Sequence, residues 1–543
     1  MKRPNLCSQL QSDPSGSLSK TVTEFLCQRR WFGGKARQTR AVKVQDIIPV
    51  GLLTFDVLLA FFRVEYAEGP SEMYSVPLVE ATSDESRRET AAIRLQIEGE
   101  HEPIVLLDAL SNESFLQFLL DAIANARSFA GEHGVIHAVP SATLSSLWQP
   151  SEGVLSSSLM KAEQSNSSIV YGKKLVLKLF RRLEEGISPD LEIGMFLTDR
   201  AFFPNTPAVA GYLEYVDREN HLHTLGILQA FVENQGDAWQ FTLDSLAEYY
   251  RRAEHAGAEA PEVPCGGILS LTESRPPSQA QEVIGPYLEA ARLLGQRTAE
   301  LHLALNSVRD DPNFVPEPFR VSDQENFCDS AIALLSRTFD LVRQKLHTLP
   351  PSLQSSAQFV LNSEGLISRY FRSIAGLRPS GMRSRIHGDY HLGQILFTGK
   401  DFMLIDFEGE PARSLRERRA KRSPLQDVAG ILRSFQYAAH TPLLAQMSTD
   451  QKRESLDSWA RFWQRWVSAV FVKRYLTTSG AAPYLPSTAD ETEIYLAAFM
   501  LDKAIYELGY ELNNRPSWVA IPLQGIADHL LESNRALHER QQL

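Results

Sequence analysis

The alternation of apolar and polar positions changes character along the chain. From about residue 41 to 107 it is mostly strand-like: Val42 and Val44 alternate with lysine and glutamine, Ile93, Leu95 and Ile97 alternate with polar residues, and Val57 to Phe62 is continuously apolar. That pattern predicts a β-rich first unit. A helical stretch, Val22 to Arg30, precedes it and stops at Gly33-Gly34, with Trp31 and Phe32 placed to bury against the strands. A second helix is expected from about Asn112 to Ala126. Ile169-Val170-Tyr171 and Leu175-Val176-Leu177 flank Gly172-Lys173, a Gly-X hairpin signal, so two short antiparallel strands are expected there. Ser188-Pro189 then reads as an N-cap followed by proline at the first helical position, starting a helix that runs to about Arg200.

Beyond about residue 236 long helices take over. Leu294, Thr298, Leu301 and Leu305 recur at helical steps and mark one buried face. His302 beside them has no metal partner four positions on and reads as a packed or surface residue. Pro261 to Pro277 is expected to be a loop, and Ser423-Pro424-Leu425-Gln426 a capping box that starts a helix.

The densest chemistry lies at His387-Gly388-Asp389-Tyr390-His391-Leu392-Gly393-Gln394, followed by Leu404-Ile405-Asp406-Phe407-Glu408. A kinase must place one carboxylate at the acceptor hydroxyl and further oxygen ligands on the magnesium that bridges the ATP phosphates. Asp389 fits the first role. Gln394 follows at the spacing where protein kinases carry a metal-binding Asn, and its carbonyl is the same kind of hard oxygen donor. Asp406, at the end of the apolar run Phe402 to Ile405, fits as the second metal ligand. The plainer reading is a turn aspartate plus a strand ending in an acid, and the order and spacing of both halves favour the kinase.

The same chemistry needs an upstream lysine on the phosphates and a helix glutamate that holds it. Lys178 ends the second hairpin strand, and Glu192 lies in the first turn of the following helix, where the helix dipole also favours any carboxylate. Glu163 to Ser168 occupies the place of a phosphate-covering loop. It lacks glycines, but Gln164, Ser165, Asn166, Ser167 and Ser168 offer amide, hydroxyl and backbone donors; such segments are also ordinary turns.

These strings, with Arg30-Trp31-Phe32-Gly33-Gly34-Lys35, Phe231 to Trp239, Pro424 to Phe435 and Glu507 to Trp518, resemble the bacterial maltokinase family over nearly the whole chain. The resemblance implies an α+β, bilobal, protein-kinase-like fold: an N-terminal cap subdomain over 1–107, an ATP-binding N-lobe over 108–235 and a helical C-lobe over 236–543. It implies transfer of the ATP γ-phosphate to the anomeric hydroxyl of maltose, with ATP and Mg2+ as cofactors and a trehalose synthase as a possible partner. Carried over by residue, Asp389 is the base, Gln394 and Asp406 the metal ligands, Lys178 the phosphate lysine and Glu192 its partner. Backbone groups of Gln229, Ala230 and Val232 would meet the adenine edge, although Leu228 to Val232 by itself is only a buried strand. Residues alone reach an ATP-dependent kinase of a small hydroxyl substrate. Glucosamine, another sugar or an aminoglycoside stays open as acceptor, and so does a silent kinase fold that partners a trehalose or glycogen enzyme.

Sugar sites combine aromatic faces with carboxylates and amides. Tyr506, Glu507, Tyr510, Glu511, Arg515 and Trp518 supply these in one helical stretch, where a helix with solvated acids and inward aromatics is the competing reading. His387 and Glu408 join them as expected substrate contacts. Arg413 to Arg422 holds six basic residues, read as a solvated loop, a substrate or phosphate contact, or a site for an anionic partner.

Composition narrows the classes. The 543 residues imply about two to four folding units. A net charge of −11 and a pI near 5.7 argue against nucleic acid as a main partner. The four cysteines show no metal spacing, and no apolar run approaches the ~18 residues of a membrane span. The expectation is therefore a cytoplasmic protein without a membrane partner.

Overall fold

The computed structural model describes residues 10, 17–52, 55–82, 85, 91–95, 103–160, 165–255, 261–444 and 450–542. They fall into two compact units, one of residues 1–198 and 207–233, the other of 199–206 and 234–543.

The first unit is built on two antiparallel sheets. Strands β1 (Thr39–Gly51), β2 (Asp56–Tyr66), β3 (Glu72–Glu80), β4 (Ile93–Leu95) and β5 (Ile104–Asp108) run in the order β1-β2-β3-β5-β4, with β11 (Arg182–Leu183) added on β3. The second sheet has the order β6-β7-β12-β13-β10-β9-β8. Its strands are β6 (Ser128–Ala130), β7 (Gly134–Pro140), β8 (Ser157–Leu159), β9 (Asn166–Tyr171), β10 (Leu175–Phe180), β12 (Val209–Asp217) and β13 (Leu222–Ala230). The unbroken apolar run in β2 has a clear cause: both faces of this strand are covered. Leu58, Ala60, Phe62 and Val64 pack with Trp31, Phe32 and helix α1 (Ser17–Cys27). Val57 and Phe61 face the core shared with the second sheet, where Phe61 stacks on Tyr215 at 4.3 Å. Helix α1 starts earlier and ends earlier than the expected Val22 to Arg30. Helix α2 (Glu113–Ala124) is capped by Asn112, whose side chain accepts the Phe115 N–H, and helix α3 (Pro189–Asp199) begins after Ser188.

The second unit is mainly helical: α4 (Ala238–His255), α5 (Tyr287–Leu305), α6 (Val321–Lys345), α7 (Pro351–Asn362), α8 (Glu364–Ile374), α9 (Leu425–Leu444), α10 (Asp450–Ser479), α11 (Ala489–Asn514) and α12 (Ala520–Gln542). Two small two-stranded antiparallel sheets accompany them: β14 (Glu317–Pro318) pairs with β15 (Met382–Arg383) across a long connection, and β16 (Ile395–Phe397) forms a hairpin with β17 (Phe402–Leu404). Leu294, Thr298, Leu301 and Leu305 are all buried, as their spacing predicts. Gly295 on the same helix lets α5 close on α10, since a Cβ there would lie 2.3 Å from the Phe471 carbonyl oxygen. The expected loop from Pro261 to Pro277 contains a short helix, Ile268–Glu273, whose first N–H groups are bonded by Glu493. Its Ile268 and Leu271 are buried, which gives that segment a reason to coil.

Candidate active site

In the first unit the β9–β10 hairpin sets the lysine. Leu175 and Leu177 point into the core, so Lys178 turns to the other face, directly opposite Ser168 on β9. Its ammonium lies 3.0 Å from Asp190 Oδ2, with 16% of the lysine side chain exposed and 1% of the aspartate. Asp190 shares the first turn of α3 with Glu192, the expected partner of the lysine. The sequence carries a signal for Asp190 too, because Asp190 and Glu192 are both acids at the dipole-favoured end of the helix.

The expected phosphate loop is shorter than its composition implies. Asn166, Ser167 and Ser168 belong to β9, Ser165 is an exposed bend residue, and Gln164 lies outside the described residues. Ser167 is a correction: it is fully buried and its hydroxyl accepts from Arg181 Nε at 2.8 Å, so its side chain is spent inside the unit. Ala230 is another. Its N–H donates to Ala208 at 2.9 Å, so of its backbone groups the N–H is not the one that would meet an adenine edge, while Gln229 is paired in the sheet with Val176 and Val209. Val232 follows the end of β13.

In the second unit helix α9 organises the loop that carries Asp389. Asp427, Gly430 and Ser434 recur at steps of three and four and so share a face. Asp427 accepts the backbone N–H groups of His387 at 2.8 Å and Gly388 at 2.9 Å, and Ser434 Oγ accepts the Leu392 N–H at 3.1 Å. At Gly430 a Cβ would sit 2.4 Å from the Tyr390 carbonyl oxygen, so only glycine permits this approach. Asp427 also takes His302 Nε2 at 3.1 Å, while His302 Nδ1 meets the Tyr475 hydroxyl at 2.9 Å. Burial pushes the Asp427 carboxyl up, but hydrogen bonds and the His302 and His387 rings outweigh it and hold it below its ordinary range. His302 is thus a buried strut beneath the loop.

His387 was expected at the substrate. Its ring is buried instead, with Nε2 bonded to the Ile405 carbonyl at 2.9 Å and its faces against Tyr390 and Phe407. It ties the Asp389 loop to the strand end before Asp406. Gln394 lies at that same end, since it precedes β16 and its backbone carbonyl accepts the Ile405 N–H at 3.0 Å. Asp406 adopts φ +66°, a left-handed conformation that aspartate tolerates at some cost, and a carboxylate oxygen of it lies within 4.8 Å of one from Glu408. Gln394, Asp406 and Glu408 are hard oxygen donors, and so suit a magnesium ion.

Asp389 keeps 21% of its side chain exposed. Two cationic or titratable groups face it: Lys503 Nζ at 3.5 Å from Oδ1, and His391 Nε2 at 3.9 Å from Oδ2. Burial holds the His391 ring below its ordinary pKa, against the pull of Asp389.

The stretch from 506 to 518 is largely committed to its own packing. Glu507 Oε2 is gripped by Arg433 through Nε at 2.8 Å and Nη2 at 2.6 Å. Glu511 is 1% exposed and takes Arg515 at 2.6 and 2.9 Å as well as the Tyr437 hydroxyl at 3.2 Å. Trp518 stacks on Tyr437, and the Arg515 guanidinium lies over both Trp518 and Tyr510. The i,i+4 glutamates do share a face, but that face turns toward guanidinium groups; Tyr510 remains 46% exposed, and Tyr506 lies under Lys503 at 4.9 Å. The basic segment is likewise engaged. Arg413 pairs with Glu410, Arg418 donates to the Glu408 carbonyl, and Lys421 pairs with Glu317.

Residues 25–111 match the maltokinase N-terminal cap domain. A glucosamine kinase of Mycolicibacterium smegmatis is 28% identical over 362 residues, 66% of this chain and 76% of that protein. A glucosamine kinase of Streptacidiphilus jiangxiensis is 24% identical over 151 residues, 27% of this chain and 32% of its own length. Among solved structures, a glucosamine kinase in complex with glucosamine, ADP and inorganic phosphate superposes with a TM-score of 0.60 at 18% identity, over 97% of this chain and 99% of that one. Sequence and structure together support the maltokinase-family resemblance: this chain carries the maltokinase N-terminal cap domain on a mixed helix-and-sheet fold that it shares with glucosamine kinase.

Proposed function

We infer that this protein is an ATP-dependent sugar kinase, and that maltose, phosphorylated at its anomeric hydroxyl to maltose 1-phosphate, is its acceptor. The observation that carries the kinase reading is the mounting of Asp389: a partly exposed carboxylate on a loop whose backbone is held by the buried Asp427. Such a carboxylate can accept the proton of a sugar hydroxyl as that oxygen attacks phosphorus. In this reading Lys178 binds phosphate oxygens of ATP, with Asp190 and Glu192 fixing the lysine. Gln394 and Asp406, with Glu408 nearby, would hold magnesium, which when bound neutralises charge on the phosphates.

The cap match supports maltose as the acceptor. The likeness to glucosamine kinase along nearly the whole chain supports glucosamine as a second reading. On the first reading the product would feed α-glucan synthesis, with a trehalose synthase as the source of maltose and a possible partner. ATP turnover by the purified chain with maltose, glucosamine, glucose and trehalose separates these. Turnover with maltose above the others supports the first reading, turnover with glucosamine alone replaces it with the second, and no turnover with any sugar removes the sugar-kinase reading.

A further inference from the structure

Lys503, on α11, stands beside the Asp389 carboxylate and was not expected from the sequence. Its ammonium lies 3.2 Å from Glu410 Oε1 and 3.5 Å from Asp389 Oδ1. Glu410 is itself 7% exposed and already paired with Arg413, whose Nε donates to it at 2.7 Å. Glu410 therefore sits between two cations, Arg413 and Lys503, and Lys503 in turn lies between two carboxylates. An ammonium has three N–H donors, of which Glu410 takes one, while Asp389 lies at ion-pair distance. A cavity of about 60 Å³ opens at this point, lined by Asp389, Glu410, Arg413, Asp502 and Lys503 among others. A fixed cation next to a general base weakens that base, which is a cost if proton abstraction is the whole task. It becomes an advantage where negative charge arrives during the reaction, because a preorganised donor stabilises that charge without rearrangement.

We propose that Lys503 is a second catalytic cation, which binds the oxygens of the transferred phosphoryl group on the acceptor side, and that Glu410 is the positioning residue that aims it. This rests on the sugar-kinase reading. In the step, the acceptor oxygen forms its bond to the γ-phosphorus as the bond from that phosphorus to the bridging oxygen breaks. The electron pair of the broken bond leaves with ADP, the hydroxyl proton passes to Asp389, and Lys503 keeps all its protons throughout. Its ammonium follows the equatorial phosphoryl oxygens from ATP to product.

The test compares the full-length chain with its Lys503→Met, Lys503→Arg and Glu410→Gln variants, measuring kcat and the separate KM values for ATP and acceptor. Lys503→Met is expected to lower kcat by about 10²–10³-fold, the effect of removing one preorganised donor, while each KM stays within about threefold. Lys503→Arg is expected to recover at least about tenfold of that loss, because it keeps the charge. Glu410→Gln keeps the shape of the site and should cost about tenfold in kcat, which carries the test if the methionine variant does not fold. A Lys503→Met enzyme with unchanged kcat, a loss confined to the acceptor KM, or a Glu410→Gln enzyme with unchanged kcat overturns the proposal alone. A wild-type chain that transfers no phosphoryl group overturns the kinase reading and this proposal with it.

Discussion

The carboxylate of Asp427 holds the backbone of His387, accepting its N–H at 2.8 Å from a helix that starts almost forty residues further along the chain. With the second oxygen on Gly388 and His302 from below, one buried acid fixes the loop that carries Asp389. Removing its charge leaves two backbone donors and a histidine around a neutral amide. We predict that Asp427→Asn lowers stability by about 3 kcal/mol, in the range for breaking a buried charged pair, and lowers kcat with it. Urea unfolding of the variant beside wild type checks this; equal midpoints would mean that the anchor is not energetically significant.

Gly430→Ala tests the same loop from its other side. The added Cβ would lie 2.4 Å from the Tyr390 carbonyl oxygen, which is backbone and cannot rotate away. The Asp389 loop must shift, and a misplacement of about 1 Å can cost on the order of 10²-fold in rate. The predicted result is a loss of kcat of at least about tenfold in a protein that still folds, seen by steady-state kinetics with a circular dichroism control.

Much of this arrangement is legible in the sequence, for identifiable reasons. The β9–β10 hairpin and α3 follow from local signals: a turn glycine, alternating apolar residues, and proline at the first helical position. The capping box at Ser423 fixes where α9 begins and so puts Asp427 in its first turn, but not whether that acid faces the loop or solvent. Residues whose roles come from long-range pairing were not legible. Lys503 and Glu410 are over ninety positions apart, and His302 reaches Asp427 across more than a hundred. The run of serines and asparagine around Ser167 gives no strand signal; pairing with β10 makes it a strand and turns that hydroxyl inward. Glu507 and Glu511 were placed on one face correctly, but spacing carries no information about the arginines that meet them.

That arginine contact makes its own prediction. Arg433 is 3% exposed and Glu507 14%, so deleting either partner strands a buried charge. Arg433→Met should destabilise by about 3–5 kcal/mol, while Arg433→Met with Glu507→Met should recover much of the loss, since apolar replacements of a buried pair are often close to neutral. A double variant no more stable than the single one would show that Glu507 is not the partner that matters.

Asp502 gives a pH-dependent expectation. Burial, opposed by Arg413 and reinforced by Glu410, pushes its carboxyl from 3.8 up to about 6. The folded state then binds more protons than the unfolded state between those values, so this group's contribution falls as pH rises from 3.8 to about 6 and levels off above. Asp502→Asn removes the titration. Its melting temperature relative to wild type should therefore rise from pH 4 to pH 6.5; a constant difference across that range would contradict the shift.

The most direct test of the central claim is the rate of ATP-dependent sugar phosphorylation by Asp389→Asn. The amide keeps the size of the side chain and cannot take the hydroxyl proton, so kcat should fall by about 10²–10⁴-fold, the usual contribution of a positioned base, with the melting temperature nearly unchanged. A variant that retains full activity would contradict the assignment of Asp389 as the base, and with it the reading of this loop as the centre of phosphoryl transfer.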